Sequence, residues 1–173
     1  FIDAYDAASG RRLWRFYTIP GEGEKGVETW SGESYKTGGG ATWMKGSYDP
    51  ELKLVYWGVG NPYPDYDGDA REGDNLYTNS VVALDADTGK LRWHYQFTPH
   101  DVWDYDGVNE MVLVDMEWRG RQEKVLLHAD RNGHFHAVWL EDPEENGYQS
   151  LRYARSSSDG VHWSNAKTLD DST

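Results

Sequence analysis

The sequence predicts an all-β fold, and three observations carry that expectation. Short apolar or alternating runs recur along the chain, each bounded by turn residues; no stretch sustains the period of an amphipathic helix; and one pattern of Ala, Asp, Gly and Trp occurs twice at the same offsets. The runs are rich in Val, Tyr and Trp, which suit a pleated, half-buried surface.

Taken in order, AYDAASGRRLW (Ala4 to Trp14) is the first copy of the repeat and ALDADTGKLRW (Ala83 to Trp93) the second. Each reads as a strand end, a glycine turn and a returning strand with an inward Trp, the outer hairpin of a four-stranded unit. Such a unit cannot bury both faces alone and needs neighbours stacked around an axis, so propeller blades fit the pattern. Phe1 to Ile19 is then the second half of one blade. Ala41 to Phe97 is a complete blade, with strands expected at Leu52 to Gly60, Ser80 to Ala86 and Leu91 to Phe97. Met111 to Phe135 opens the next, with strands at Met111 to Trp118 and Lys124 to Asp130. Between them Pro20 to Gly40 is rich in Gly, Glu and Ser and reads as a long inter-blade loop. Its GEGEKG matches GxGxxG in form, but a dinucleotide fingerprint needs a helix to open after it, and VETWSGESY offers none.

Composition removes several function classes. The 173 residues hold 30 acidic against 17 basic side chains, a formal charge of -13, which argues against a nucleic-acid surface. Nine Trp and twelve Tyr argue against a disordered acidic tail. With no cysteine there is no disulfide, zinc-thiolate site or thiol nucleophile, and no apolar run is long enough to span a membrane.

The segment TPHDVWDYDGVNE concentrates Asp101, Asp104, Asp106 and Glu110. On an extended strand, residues two apart share a side, so Asp104 and Asp106 could reach one ion; the alternative is a solvated acidic turn. Hard cations such as calcium, and trivalent lanthanides more so, seek several carboxylate and amide oxygens. Asn61 stands in a Gly60-Asn61-Pro62 turn, Trp43 follows three glycines, and Arg131 occupies a strand-end turn in HADRNG. Each also has a structural reading: turn chemistry for Asn61, a core indole for Trp43, a solvated hairpin cation for Arg131.

The order GGGATW, YWGVGNP, GDNLYTNSVVALDADTGK, TPHDVWDYDG, HADRNG resembles the pyrroloquinoline quinone (PQQ)-dependent methanol and ethanol dehydrogenases from Phe1 to about Phe135. That resemblance implies a fragment of an eight-bladed quinoprotein propeller. It implies PQQ stacked on Trp43, a metal held by Asn61, Asp104 and Asp106, Asp104 as catalytic base, and Arg131 as a catalytic and cofactor-binding cation. Ala41 stands where some members carry a Thr that holds the cofactor. The second carboxylate, Asp106, is similar to the lanthanide-dependent branch, so a lanthanide is expected, with Ca2+ as the alternative. A family metal-ligating Glu is expected just upstream of Phe1. The implied reaction is oxidation of a primary alcohol to an aldehyde, with electrons passed to a c-type cytochrome in the periplasm; a homodimer is left open. The alternative reading is a non-catalytic repeat module that binds proteins or glycans.

From about residue 136 the chain departs from that pattern and resembles a sialidase-type Asp-box (BNR) repeat, with Ser158, Asp159, Gly160 and Trp163 as turn-builders. Two domains are therefore expected, 1–135 and 136–173.

Overall fold

The computed structural model describes residues 1–118, 120–141, 150–158 and 160–169. Among the described residues, every regular element longer than a single 3₁₀ turn is a strand, and all pairings between strands are antiparallel. The chain divides into two compact units, Phe1–Glu110 and Met111–Thr173.

The first unit opens with a two-stranded hairpin, β1 (Ile2–Tyr5) and β2 (Arg12–Phe16). It continues into a four-stranded meander of β3 (Ser47–Asp49), β4 (Leu54–Val59), β5 (Ser80–Asp85) and β6 (Leu91–Gln96), in that spatial order. β5 is central and almost fully buried, as its run of Val and Leu requires. The two copies of the repeat close their hairpins with the same bonds. Asp6 accepts the Ser9 N–H at 2.7 Å and the Gly10 N–H reaches Asp6 O at 2.8 Å. Asp85 accepts the Thr88 N–H at 2.9 Å and the Gly89 N–H reaches Asp85 O at 2.8 Å. Asp and Ser/Thr hydroxyls mimic a backbone turn here, which leaves the left-handed position to glycine.

The first copy also docks on the second. Trp14 donates its indole N–H to Ala86 O at 3.0 Å, and its ring lies over Gly89. Trp14 and Phe16 thereby join the core of Ile2, Val59, Tyr77, Val82 and Leu84. The long loop 20–40 contains 3₁₀ turns at Val27–Thr29 and Ser34–Thr37 and an isolated bridge from Gly39 to Pro62. It is pinned by Trp30, whose indole donates to Leu76 O at 2.6 Å, and by Tyr77, whose hydroxyl donates to Lys25 O at 2.9 Å.

In the second unit the described residues form one sheet of five strands in the order β11-β10-β9-β8-β7. These are β7 (Met111–Trp118), β8 (Arg121–Ala129), β9 (Phe135–Glu141), β10 (Ser150–Arg155) and β11 (Lys167–Leu169). Its core holds Val125, Ala137, Trp139 and Ala154, with Trp118 packed edge-on to Trp139. The expected change of character at residue 135 to 136 falls at the start of β9, inside this sheet, whereas the chain separates at Glu110 and Met111. The sheet continues through that point because β9 pairs with β8 on one side and β10 on the other. Within the tail, Ser156 and Trp163 form an isolated bridge and Gly160 adopts a positive φ of 70°. Asp159 lies outside the described residues.

Candidate functional site

The site of interest in the first unit begins where β4 runs out at Gly60 and Asn61. Backbone bonds lay the glycine-rich segment along that strand end: Gly60 N–H to Ala41 O and Gly40 N–H to Asn61 O, both at 2.9 Å. Trp43 is thereby placed over Gly60, and a Cβ at Gly60 would stand 2.8 Å from the indole. Gly60 is therefore a packing requirement for this arrangement. Trp43 is 57 % exposed, so it is not the core indole its neighbourhood could equally have built.

The acidic segment after β6 is a loop rather than an extended strand. Asp104 and Asp106 both take left-handed backbone, with φ of 62° and 54°. The alternation argument for their carboxylates thus does not apply, because the backbone between them is coiled by a different set of bonds. Left-handed Asp is tolerated more readily than most residues, at a cost of about 1–2 kcal/mol each, and such strain persists only where the surroundings impose it.

The surroundings here are specific. Asp101, fully buried, accepts the N–H of Trp103 at 2.8 Å and of Tyr105 at 2.8 Å, one on each side of Asp104. Trp103 and Tyr105 then stack, with ring centroids 5.6 Å apart and planes 18° from parallel. Asp106 is buried at 8 % exposure and its Oδ1 accepts the Asn61 N–H at 3.3 Å. That bond joins two motifs separated by 45 residues. Asp104 is only partly buried, and its carboxylate accepts no hydrogen bond from any described residue.

Arg131 belongs to the second unit. It is exposed in the turn from β8 to β9, which Asp130 closes by accepting the Asn132 N–H at 2.8 Å. Beside it is a buried polar cluster. His128 Nε2 lies 3.2 Å from Asp130, and His136 Nδ1 lies 2.7 Å from the Tyr153 hydroxyl. Burial, partly offset by Asp130, pulls His136 down to about 4, so it is neutral at neutral pH.

Chemically, Asn61, Asp104 and Asp106 offer only oxygen donors, the kind hard cations take. They fit such an ion in kind but not in number: a full shell needs about six to eight oxygens. The described residues contain no group of three or more His, Asp or Glu side chains able to hold a metal by themselves. Reading the sequence singled out Asp101 only as one carboxylate in a crowd, and it passed over Arg71 and Asn79. The one signal for Arg71 was a lone cation inside the acidic run DYDGDAREGD.

Comparison with known proteins bears on the same segment. The family model for the PQQ glucose/ethanol/alcohol dehydrogenase β-propeller domain matches residues 1–138. The chain is 44% identical over 152 residues to a quinohemoprotein alcohol dehydrogenase of Pseudomonas putida, covering 80% of this chain and 21% of that protein. It is 41% identical over 150 residues to a lanthanide-dependent methanol dehydrogenase of Methylorubrum extorquens, covering 76% and 25%. Among solved structures, a europium-containing methanol dehydrogenase superposes with a TM-score of 0.70 at 41% identity, over 79% of this chain and 27% of that one. The quinohemoprotein alcohol dehydrogenase of Comamonas testosteroni gives 0.73 at 41% identity, over 79% and 22%. The chain thus spans about a quarter of the length of the relatives it matches.

Proposed function

The chain belongs to the PQQ-dependent alcohol dehydrogenase β-propeller family, and from that membership we propose that it carries part of the active site of an enzyme oxidising a primary alcohol to an aldehyde. When bound, PQQ supplies the hydride acceptor and a hard cation supplies Lewis acidity. Asp104 is the base: its carboxylate, unengaged by any described donor, takes the proton of the substrate hydroxyl. Trp43 presents an exposed indole face on which a flat conjugated ring can stack. The side-chain oxygens of Asn61, Asp104 and Asp106 are the donors this segment offers to the cation. Arg131 is the cation assigned to stabilise negative charge developing on oxygen.

The observation that carries this reading is the Asn61 N–H bond to Asp106, which brings the GNP turn and the WDYD loop together beside Trp43. A lanthanide is proposed over calcium because a second carboxylate adds the anionic donor that a 3+ ion favours; a relative named for lanthanide dependence supports this. A c-type cytochrome is proposed as electron acceptor, in line with a relative named methanol dehydrogenase [cytochrome c] subunit 1. The periplasm is the compartment proposed with it; no described helix is long and apolar enough to cross a membrane.

For the tail we keep the Asp-box-like reading as a structural one. No catalytic role is assigned there.

The test is a tryptophan-fluorescence titration of the purified chain with PQQ, run with La3+, with Ca2+ and with neither. Saturable quenching that requires metal, and is stronger with La3+, is the expected result. Absence of saturable quenching in all three would replace the enzymatic reading of this chain with that of a non-catalytic repeat module.

A further inference from the structure

A buried cation, Arg71, ties together the two loops that carry the candidate site. It is fully buried at the end of the 3₁₀ turn Gly68–Arg71. Its Nε donates to Pro64 O at 2.8 Å and its Nη2 to Asp65 O at 2.9 Å, fixing the chain just beyond Asn61. The same Nη2 donates to Asp101 O, at the root of the loop bearing Asp104 and Asp106. Nη1 donates to Asn75 Oδ1 at 2.8 Å, and Asn75 returns a bond from Nδ2 to Arg71 O at 2.7 Å, which holds the guanidinium plane. Only a planar fork with several donors makes these bonds at once; a lysine ammonium cannot.

Asp101 extends the brace. Its carboxylate takes the Asn79 Nδ2 at 2.7 Å and, as described, the amides on either side of Asp104. Burial pulls Arg71 below its ordinary value, with Asp101, Asp65 and Asp67 opposing; the guanidinium remains charged, as arginine does. The buried charges therefore compensate one another. The bonds from Asp101 are the ones that coil the backbone around Asp104 into its left-handed form. None of Arg71, Asp101 or Asn79 is among the residues offered to the ion or cofactor.

We infer that Arg71 and Asp101 are positioning residues: they hold the Asn61 turn and the Asp104–Asp106 loop in the one relative geometry in which their oxygens converge on a hard cation. This rests on the function proposed above for those oxygens. A structural brace alone would stabilise the unit without setting affinity for an ion. A positioning pair sets that affinity, as partners behind first-sphere ligands do, by roughly ten- to hundredfold.

The experiment uses the 173-residue chain with Tb3+ as probe, read by tryptophan-sensitised luminescence, alongside amide hydrogen exchange. The variants are Asp101→Asn, which keeps shape but offers a single acceptor oxygen, and Arg71→Lys. Asp49→Asn is the control: Asp49 is buried and caps the Glu51 and Leu52 amides in the turn from β3 to β4, away from the loop. In Asp101→Asn, exchange at Trp103 and Tyr105 should accelerate about tenfold or more while Val81 to Leu84 in β5 keep their protection. Tb3+ affinity should fall roughly ten- to hundredfold in both brace variants and stay unchanged in the control. Unchanged exchange at Trp103 and Tyr105, or an equal rise across β5, overturns the inference. So does a Tb3+ loss in Asp49→Asn matching that of the brace variants. If the unmodified chain gives no saturable Tb3+ signal, the metal reading proposed above fails, while the exchange data still decide whether the brace sets the loop.

Discussion

Asp104 and Asp106 are neighbouring carboxylates in different surroundings. Asp106 is buried and its Oδ1 accepts the Asn61 N–H, so it links two loops. Asp104 is partly exposed and uncommitted, a setting consistent with the base role proposed for it. In a full-length enzyme carrying this segment, Asp104→Asn should lower dye-linked alcohol oxidation by about 10²–10⁴-fold while PQQ stays bound; retained activity removes Asp104 from the base role. Asp106→Ala should reduce lanthanide-supported activity more than calcium-supported activity, and parallel assays with the two metals decide it. The same substitution leaves the Asn61 amide without its acceptor, a cost of about 1–3 kcal/mol visible in denaturant unfolding.

At the scale of elements, the repeated hairpins give an internal comparison. Gly10 and Gly89 occupy the same turn position with φ of 69° and 71°. A Cβ at Gly10 would meet nothing within 4 Å, whereas at Gly89 it would stand 2.5 Å from the Trp14 ring. Gly10→Ala should therefore cost only the left-handed backbone penalty, about 1–2 kcal/mol. Gly89→Ala should cost that plus about 1–3 kcal/mol for displacing Trp14. Urea unfolding of the two variants measures the difference; equal losses would mean that Trp14 is not seated as described. Trp14→Phe should cost about 1 kcal/mol for the lost bond to Ala86 O, beyond any packing change.

For the whole molecule, each unit carries a histidine held neutral. His94, in the first, is brought to about 4 by burial and then by Lys25, with the Tyr77 ring edge-on at 4.7 Å. His136, in the second, is brought to about 4 chiefly by burial. Both values lie below the unfolded value of about 6.5, so between these limits the unfolded chain binds more protons. Their contribution is intact above pH 6.5 and is lost as pH falls toward 4. Moving from pH 7 to pH 5 should cost about 2 kcal/mol per histidine. Denaturant unfolding at the two pH values tests this, and His94→Phe or His136→Phe should flatten the dependence by one histidine's share. A dependence unchanged by both would place the acid sensitivity elsewhere.

What the sequence determined by itself is what depends on near neighbours. Short apolar or alternating runs bounded by turn residues placed β4 to β8 to within a few residues of their observed ends, because strand preference and side-chain direction are local properties. The paired Asp-to-Gly turns were legible for the same reason, since Asp6 and Asp85 bond within their own hairpins. The tertiary structure alone decided the rest. Asp104 and Asp106 look like strand residues in sequence, but the backbone around Asp104 is coiled by bonds to Asp101, which is itself held by Asn79, 22 residues away. Trp43 could have been core or surface, and the approach of Gly60 settled it as surface. Arg71 left no periodic signal, since its meaning lies in carbonyls from two separate loops. Strands are encoded by short-range preference; a site assembled from loop ends is encoded by long-range closure, which only the folded chain reveals.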